Sequence, residues 1–220
     1  MSCVNNNDYI RELYDHAEGC GFDRALFFSA GNTEEFVNTS VDGYRDYPLF
    51  VHVFGGEYDG KALGHMMRVD FKSRLDLIAG ITSSSKTESV MLIDPPVSKR
   101  SGILQYVKVA DLGDYALLLK RATYRLEEYE RYAFRKRQPY LDEKTWYMYL
   151  FATRKDCQHQ GYGKKLIELV CSFADAKGYR ICLETDTEDN VGLYEHFGFK
   201  TVDRSVFKET LKHSVMLYPG

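Results

Sequence analysis

The sequence predicts an α/β (α+β) domain organised around a parallel strand–helix–strand crossover, and three observations predict it. Thr145 to Thr153 (TWYMYLFAT) is dense in aromatic and β-branched residues, the composition of a buried strand. From Gly163 to about Lys177, Leu166, Ile167, Val170 and Phe173/Ala174 recur at helical spacing, and Gly178 closes the run as a C-terminal cap. Tyr179 to Thr185 (YRICLET) reads as a second buried strand, and a strand, helix and strand within this length close as a right-handed parallel crossover.

The remaining elements follow in order. Asp8 to Glu18 is an amphipathic helix with Tyr9, Ile10, Leu13 and Tyr14 on one side, broken by Gly19 and Gly21; it belongs to an N-terminal appendage over residues 1–30. Ala25 to Ala30 reads as a short strand. Thr33, with Glu34 and Glu35 behind it, opens a helix to about Val41. Tyr44 to Phe54 sets Tyr44, Tyr47, Phe50 and Phe54 around Pro48 and His52; such aromatics fill a core or line a pocket, the first being the commoner fate. Leu63 to about Ile81 fits a long helix, and Ser83 to Lys86 a polar turn. Glu88 to Asp94 is a strand stopped by Pro95 and Pro96, which cannot continue a ladder. Helical patterns cover Ile103 to Val109 and Tyr115 to about Arg135, and Gln138 to Glu143 connects them to the central strand. Asp189 caps a short helix from Val191 to Phe197, ended by Gly198. Phe199 to Phe207 and His213 to Tyr218 are closing strands joined near Lys208 to Lys212. There is no internal repeat and no linker, so the 220 residues make one domain.

Composition narrows the classes of function. A hydrophobic fraction of 44% beside 28% charged residues describes a soluble globular chain, and no apolar run approaches the length of a membrane span. The start, MSCVNNNDY, has neither a basic nor an apolar signal segment, which predicts the cytoplasm. Five cysteines with no CxxC spacing argue against a disulfide framework and a zinc site; Cys157, beside the glycine turn, reads as a turn residue rather than a nucleophile. A net charge of −3 gives no general attraction to nucleic acid, and the one basic cluster, Arg131 to Arg137, reads as a solvated helix end complementing the dipole.

The informative stretch is QHQGYG, Gln158 to Gly163, between the central strand and its helix. Glycines at 161 and 163 strip side chains from the turn, so that successive backbone N–H groups approach a ligand at a helix N-terminus, a geometry that favours phosphate; the alternative is a turn that merely permits tight packing. A P-loop is excluded, because it requires four residues between its glycines and a Ser or Thr after the lysine, whereas Lys165 and Leu166 follow Lys164 here. The dinucleotide fingerprint is excluded because Leu166 stands where a third small residue is needed.

Two motifs now stand in order. Gln158, Gly161 and Gly163 meet the pattern Gln or Arg, two residues, Gly, one residue, Gly or Ala; downstream, Asn190 is followed by Tyr194 and by the pair Gly198 and Phe199. In this order, each behind a strand, they resemble the GNAT superfamily of acetyl-CoA-dependent N-acetyltransferases, firmly from Trp146 to Phe199 and more loosely, through the Trp146–Tyr147 pair, the branch that includes puromycin acetyltransferase. The resemblance implies a mixed, mostly antiparallel central sheet flanked by helices, with a cofactor-binding core over residues 145–199. It implies that backbone groups of Phe151, Ala152 and Thr153 bond the pantetheine arm of acetyl-CoA as an added strand, that Gln158, His159, Gln160, Gly161, Tyr162, Gly163 and Lys164 cradle the pyrophosphate, and that Asn190 positions cofactor or loop. His159 and Gln160 replace the Gly and the Arg or Lys of many relatives, a loss of charge that Lys155, Lys164 or Lys165 would restore.

An amine attacking a thioester needs a neutral nucleophile, a stabilised oxyanion and a proton for the leaving thiolate. Backbone N–H near Phe151 or Ala152 would serve the oxyanion. Tyr194 matches the family's general acid, and a phenol near pKa 10 can serve a thiolate near 8.5 at modest cost; its other identity is a tyrosine of an amphipathic helix. No carboxylate lies on the central strand, so Glu184 at the end of the next is the candidate base or substrate contact, with a surface ion pair as its plainer role and His52 or a water relay as other routes. The expected activity is transfer of acetyl from acetyl-CoA to a primary amine of a small molecule by direct attack, with no metal, no nucleic acid and no membrane involved, in a monomer or homodimer. The alternatives are acetylation of a protein amine and a non-catalytic acyl-CoA-binding regulatory module.

Overall fold

The apolar runs of the sequence fold into one twisted sheet whose two faces are both covered. The computed structural model describes residues 6–96 and 121–219. Its strands are β1 (Ala79–Thr82), β2 (Ser89–Asp94), β3 (Thr145–Thr153), β4 (Arg180–Thr185), β5 (Lys200–Phe207) and β6 (Leu211–Tyr218), in the spatial order β1-β2-β3-β4-β6-β5. Among the described residues only β3 and β4 run parallel; the other pairs are antiparallel, so the sheet is mixed and mostly antiparallel as expected.

The helices are α1 (Asn6–Gly19), α2 (Thr33–Gly43), α3 (Pro48–Phe54), α4 (Gly60–Ser73), α5 (Arg121–Arg137), α6 (Tyr162–Lys177) and α7 (Glu188–His196). Alternation along the strands sorts the core into two layers. Trp146, Met148, Ile181, Leu183 and Met216 join Leu166, Ile167, Val170 and Phe173 of α6 and Leu13 and Ala17 of α1. On the opposite face, Val90, Leu92, Leu150 and Ala152 meet Phe36 and Val37 of α2, Phe50 of α3 and Leu63, Met67 and Phe71 of α4. Among the described residues, no helix is long and apolar enough to cross a membrane.

Local expectations failed in four places. Residues Ala25 to Ala30 do not form a strand: Arg24–Leu26 is a 3-10 turn capped by Asp23, and only Phe27 makes a bridge, to Ile81. The helix expected from Leu63 to Ile81 ends at Ser73, because Leu77 and Ile78 turn back on the Arg74 carbonyl and Ala79–Thr82 pairs with β2 as an edge strand. Four buried residues in a row hide the alternation that would have marked this strand. The last short helix is capped by Thr187, whose hydroxyl accepts from the Asn190 N–H at 3.3 Å, and not by Asp189, which lies in its first turn. The basic end of α5 is not uniformly solvated: Arg131 and Arg135 are exposed but Arg137 is buried. The helix expected over Ile103–Val109 and the first residues of that expected from Tyr115 lie outside the described residues.

Candidate active site

The site forms where β3 and β4 part. Their parallel register runs from Thr145 opposite Arg180 to Met148 opposite Leu183 and goes no further, although β3 continues to Thr153. A shift in the β2–β3 register at the same level, with Met148 opposite Ile93 but Leu150 opposite Leu92, leaves Tyr149 as an extra residue and bends β3 away. Beyond the bulge the Arg154 N–H donates to the Glu88 carbonyl, so the alternate pair Ala152–Val90 is also hydrogen-bonded across β2. Ala152 therefore spends its backbone groups on β2, while those of Phe151 and Thr153 turn toward the gap. The Phe151 carbonyl accepts from the Tyr44 hydroxyl at 3.3 Å and that of Thr153 from Gln158 Nε2 at 3.4 Å.

The glycine turn closes one end of this gap. His159 and Gly161 both adopt positive φ, 62° and 86°, which lets the chain reverse into α6 within a few residues. The N–H groups of Tyr162, Gly163 and Lys164 precede the first intrahelical bond, Lys165 N–H to the Gly161 carbonyl at 3.2 Å, and so remain as donors at the positive end of the helix dipole. A Cβ at Gly163 would lie 2.8 Å from Phe151 Cζ and 3.1 Å from Thr153 Oγ1, so only glycine lets the helix start come this close to the strand. The charge that was to compensate for Gln160 is only partly at hand. The Lys165 ammonium turns to the Ser83 carbonyl at 3.2 Å and the face of Phe22, whereas Lys164 is exposed and pairs with Glu168 at 3.6 Å. Gln160 donates to the Asp156 carbonyl, and the Cys157 thiol is buried against Arg154 and Asp156.

At the other end of the gap is a cavity of about 40 Å³ lined by Tyr44, Tyr47, Tyr149, Phe151, Glu184, Asn190 and Tyr194, among others. Asn190 and Tyr194 share one face of α7 at four-residue spacing, and Gly198, at φ 91°, ends that segment so that Phe199 packs on Tyr194. Burial pushes the Tyr194 phenol well above its ordinary pKa, and Tyr44 adds to the shift, so the group is neutral at any physiological pH and gives up its proton at a higher cost than a free phenol would. His52 is not brought here; it lines a separate cleft with Arg125, Thr210 and Leu211.

Glu184 is not the surface ion-pair partner that its strand-end position suggested. Its Oε2 accepts from the Tyr147 hydroxyl at 2.6 Å and from Arg137 at 2.9 Å. Burial would raise this carboxyl, but His213, Arg137 and Tyr147 outweigh burial and hold it below the usual range.

The match to known proteins falls on these same segments. Residues 122–199 match the family model described as Acetyltransferase (GNAT) family. That segment, about a third of the chain, carries the likeness to the GNAT family. A segment of 58 residues is 38% identical to an uncharacterised N-acetyltransferase of Schizosaccharomyces pombe; it covers 26% of this chain and 24% of that protein, so the match spans about a quarter of the curated relative. The likeness of fold extends further than the likeness of sequence. The C-terminal condensation domain of Ebony, solved in complex with beta-alanyl-dopamine, aligns at a TM-score of 0.58 with 10% identity over 87% of this chain and 96% of that one. A mosquito arylalkylamine N-acetyltransferase-like protein aligns at 0.54 with 14% identity, over 86% and 96%. A Corynebacterium glutamicum protein described as histone acetyltransferase HPA2 and related acetyltransferase aligns at 0.52 with 16% identity, over 88% and 95%.

Sequence reasoning missed the residues behind Glu184. Arg137 at the end of α5, His213 on β6, Asp186 after β4 and Tyr129 on α5 come from segments far apart in the chain and meet only in the fold. The one available signal was His213 itself, a polar residue in register with Val215 and Leu217 on an inward face.

Proposed function

We propose that this chain transfers acetyl from acetyl-CoA to a primary amine of a small molecule by direct attack. The observation that carries the reading is the coincidence of three features in one gap: strand backbone turned outward at Phe151 and Thr153, helix N–H donors at Tyr162 to Lys164, and a cavity holding Tyr194 and Glu184 between them. The open space at Gly161 and the helix N–H groups after it fit the pyrophosphate of coenzyme A, and the backbone of Phe151 and Thr153 fits a pantetheine arm laid down as a further strand. When bound, acetyl-CoA supplies an activated acyl group; the chain's residues orient it and manage protons. Helix donors fix the phosphate end, the wall of the cavity excludes water, the Tyr194 hydroxyl holds the proton that the departing sulfur requires, and the anionic Glu184 draws an ammonium group into place.

An acceptor with an aromatic or alkyl body suits walls made of Tyr44, Tyr47, Tyr149 and Phe151, and the arylalkylamine name of one structural neighbour agrees with that chemistry. The experiment is thiol release from acetyl-CoA against a panel of small amines, with peptide amines included, for the wild-type chain and Tyr194→Phe. Amine-dependent release that falls about 100-fold or more in the variant supports the reading, in keeping with loss of a positioned acid. No amine-dependent release, with coenzyme A still bound, would favour a non-catalytic binding module.

A further inference from the structure

Behind the cavity, one contact among the buried charges lacks a hydrogen. His213 is 1% exposed, and its Nε2 lies 3.4 Å from Oε1 of Glu184, the carboxylate oxygen that Tyr147 and Arg137 leave to it. Neither atom has a hydrogen-bond partner among the described residues. On the other side of the ring, Nδ1 is 3.0 Å from the Tyr129 hydroxyl, which donates to Asp186 Oδ1 at 2.6 Å. A phenol that gives its proton to Asp186 presents a lone pair to His213, so Nδ1 carries the ring's hydrogen, and Nε2 of the neutral ring is an acceptor 3.4 Å from another acceptor. Two buried lone pairs face to face are unfavourable, and one proton between them satisfies both.

We infer that Glu184 and His213 share one proton between Oε1 and Nε2, and that this pair, rather than the carboxylate alone, takes the proton that the acceptor ammonium gives up. The inference rests on the proposed amine acetylation. Glu184 by itself is held too acidic to deprotonate an alkylammonium group, whose reference pKa lies near 10. His213 differs: burial would lower it, but Asp186 and then Glu184 outweigh burial and raise the imidazole to about 9. The charged and titratable groups around it are Glu184 from β4, Asp186 beyond that strand, Tyr129 and Tyr132 from α5, and, through Glu184, Arg137 and Tyr147. With the ring neutral these sum to one positive and two negative charges, and Glu130, 3.7 Å from Arg137, adds a further negative one; one added proton reduces that excess.

The proton balance is then complete. From the proton-free pair, the minor form at neutral pH whose share grows as pH approaches 9, an N–H bond of the ammonium breaks, its electrons stay on nitrogen, and the proton passes through the Glu184 carboxylate to the place between Oε1 and Nε2. The nitrogen forms the C–N bond to the acetyl carbonyl, the C–S bond breaks, and the second proton of the amine accounts for the one that the thiolate takes from Tyr194. One proton is released per turnover, and it is the one the pair held. His213 touches no substrate in this scheme; it is a positioning residue that sets the basicity of Glu184.

Two measurements test the inference. The first is an NMR titration of the whole chain labelled with ¹⁵N-histidine, which needs no substrate. The His213 imidazole is expected to hold its second proton at neutral pH, to lose it near pH 9, and to do so at least about one unit lower in Glu184→Gln. An imidazole titrating near its ordinary value, about 6.5, in the wild-type chain overturns the inference even if the variant fails to fold. The second compares His213→Gln with wild type on two classes of amine. A strongly basic alkylamine, which arrives protonated, should lose about tenfold or more in kcat/KM, while a weakly basic amine already neutral at the assay pH should lose little. Equal losses for both classes, as a merely structural defect would give, also overturn it. If no amine is turned over, the proposed function fails while the titration still decides whether the pair exists.

Discussion

The Arg137 guanidinium and the Glu184 carboxylate meet at 2.9 Å with both side chains almost excluded from water, 8% and 9% exposed. Arg137 also lies over the ring of Tyr147 at 4.5 Å, so the cation is held by an anion and an aromatic face together. Removing it leaves a buried carboxylate whose nearest strong counter-charge is gone. Arg137→Met should destabilise the fold by about 3–5 kcal/mol, the cost of breaking a buried pair from one side. Urea unfolding of the variant against wild type measures this, and a loss below about 1 kcal/mol would mean the pair is effectively solvated.

Gly163 sets the distance between the start of α6 and β3. Gly163→Ala puts a Cβ 2.8 Å from the Phe151 ring, so helix and strand must separate or the ring must swing into the cavity. The expected outcome is a rise of about tenfold or more in KM for acetyl-CoA, since a small misplacement of a binding element is costly, with far-UV circular dichroism unchanged.

Gln160 is exposed at the turn and spends its amide on the Asp156 carbonyl. Gln160→Arg adds a cation beside the proposed phosphate cradle. Affinity for coenzyme A should tighten by about fivefold at low ionic strength, roughly 1 kcal/mol, and the gain should shrink in salt. Calorimetric titration at two salt concentrations checks both parts.

The His213 environment predicts how stability depends on pH. Its folded-state pKa, about 9, lies above the ordinary imidazole value, so the protonated ring stabilises the fold. That contribution is fully present below about pH 6.5 and is lost as pH rises through the folded value, on the order of 3 kcal/mol in all. Thermal melts across this window should show a decline in wild type that flattens in His213→Gln.

The crossover and the cofactor turn were legible because their signals are local. TWYMYLFAT, the apolar period of Leu166 to Ala174 and the glycines at 161 and 163 each fall within one element, and backbone preference acts over that same span. Strand β1 was not legible, since its AGIT is buried throughout, shows no alternation and continues the helical spacing of α4; only pairing with β2 decides it. Asp189 and Thr187 are both good capping residues two positions apart, and which of them caps the helix rests on where the chain leaves β4.

The sequence by itself determined the strand–turn–helix–strand unit, the placing of Asn190 and Tyr194 on one helical face and, through two short motifs, the family likeness of that segment. All of these are periodicities or spacings along the chain. The tertiary structure alone decided that β3 parts from β4 after Met148, that Ala152 faces β2 while Phe151 and Thr153 face the gap, and that Arg137, Tyr129, Asp186 and His213 gather behind Glu184. The reason is physical: charge and polarity along a sequence do not say which groups will share a buried place, and the protonation of Glu184 and His213 depends on that sharing.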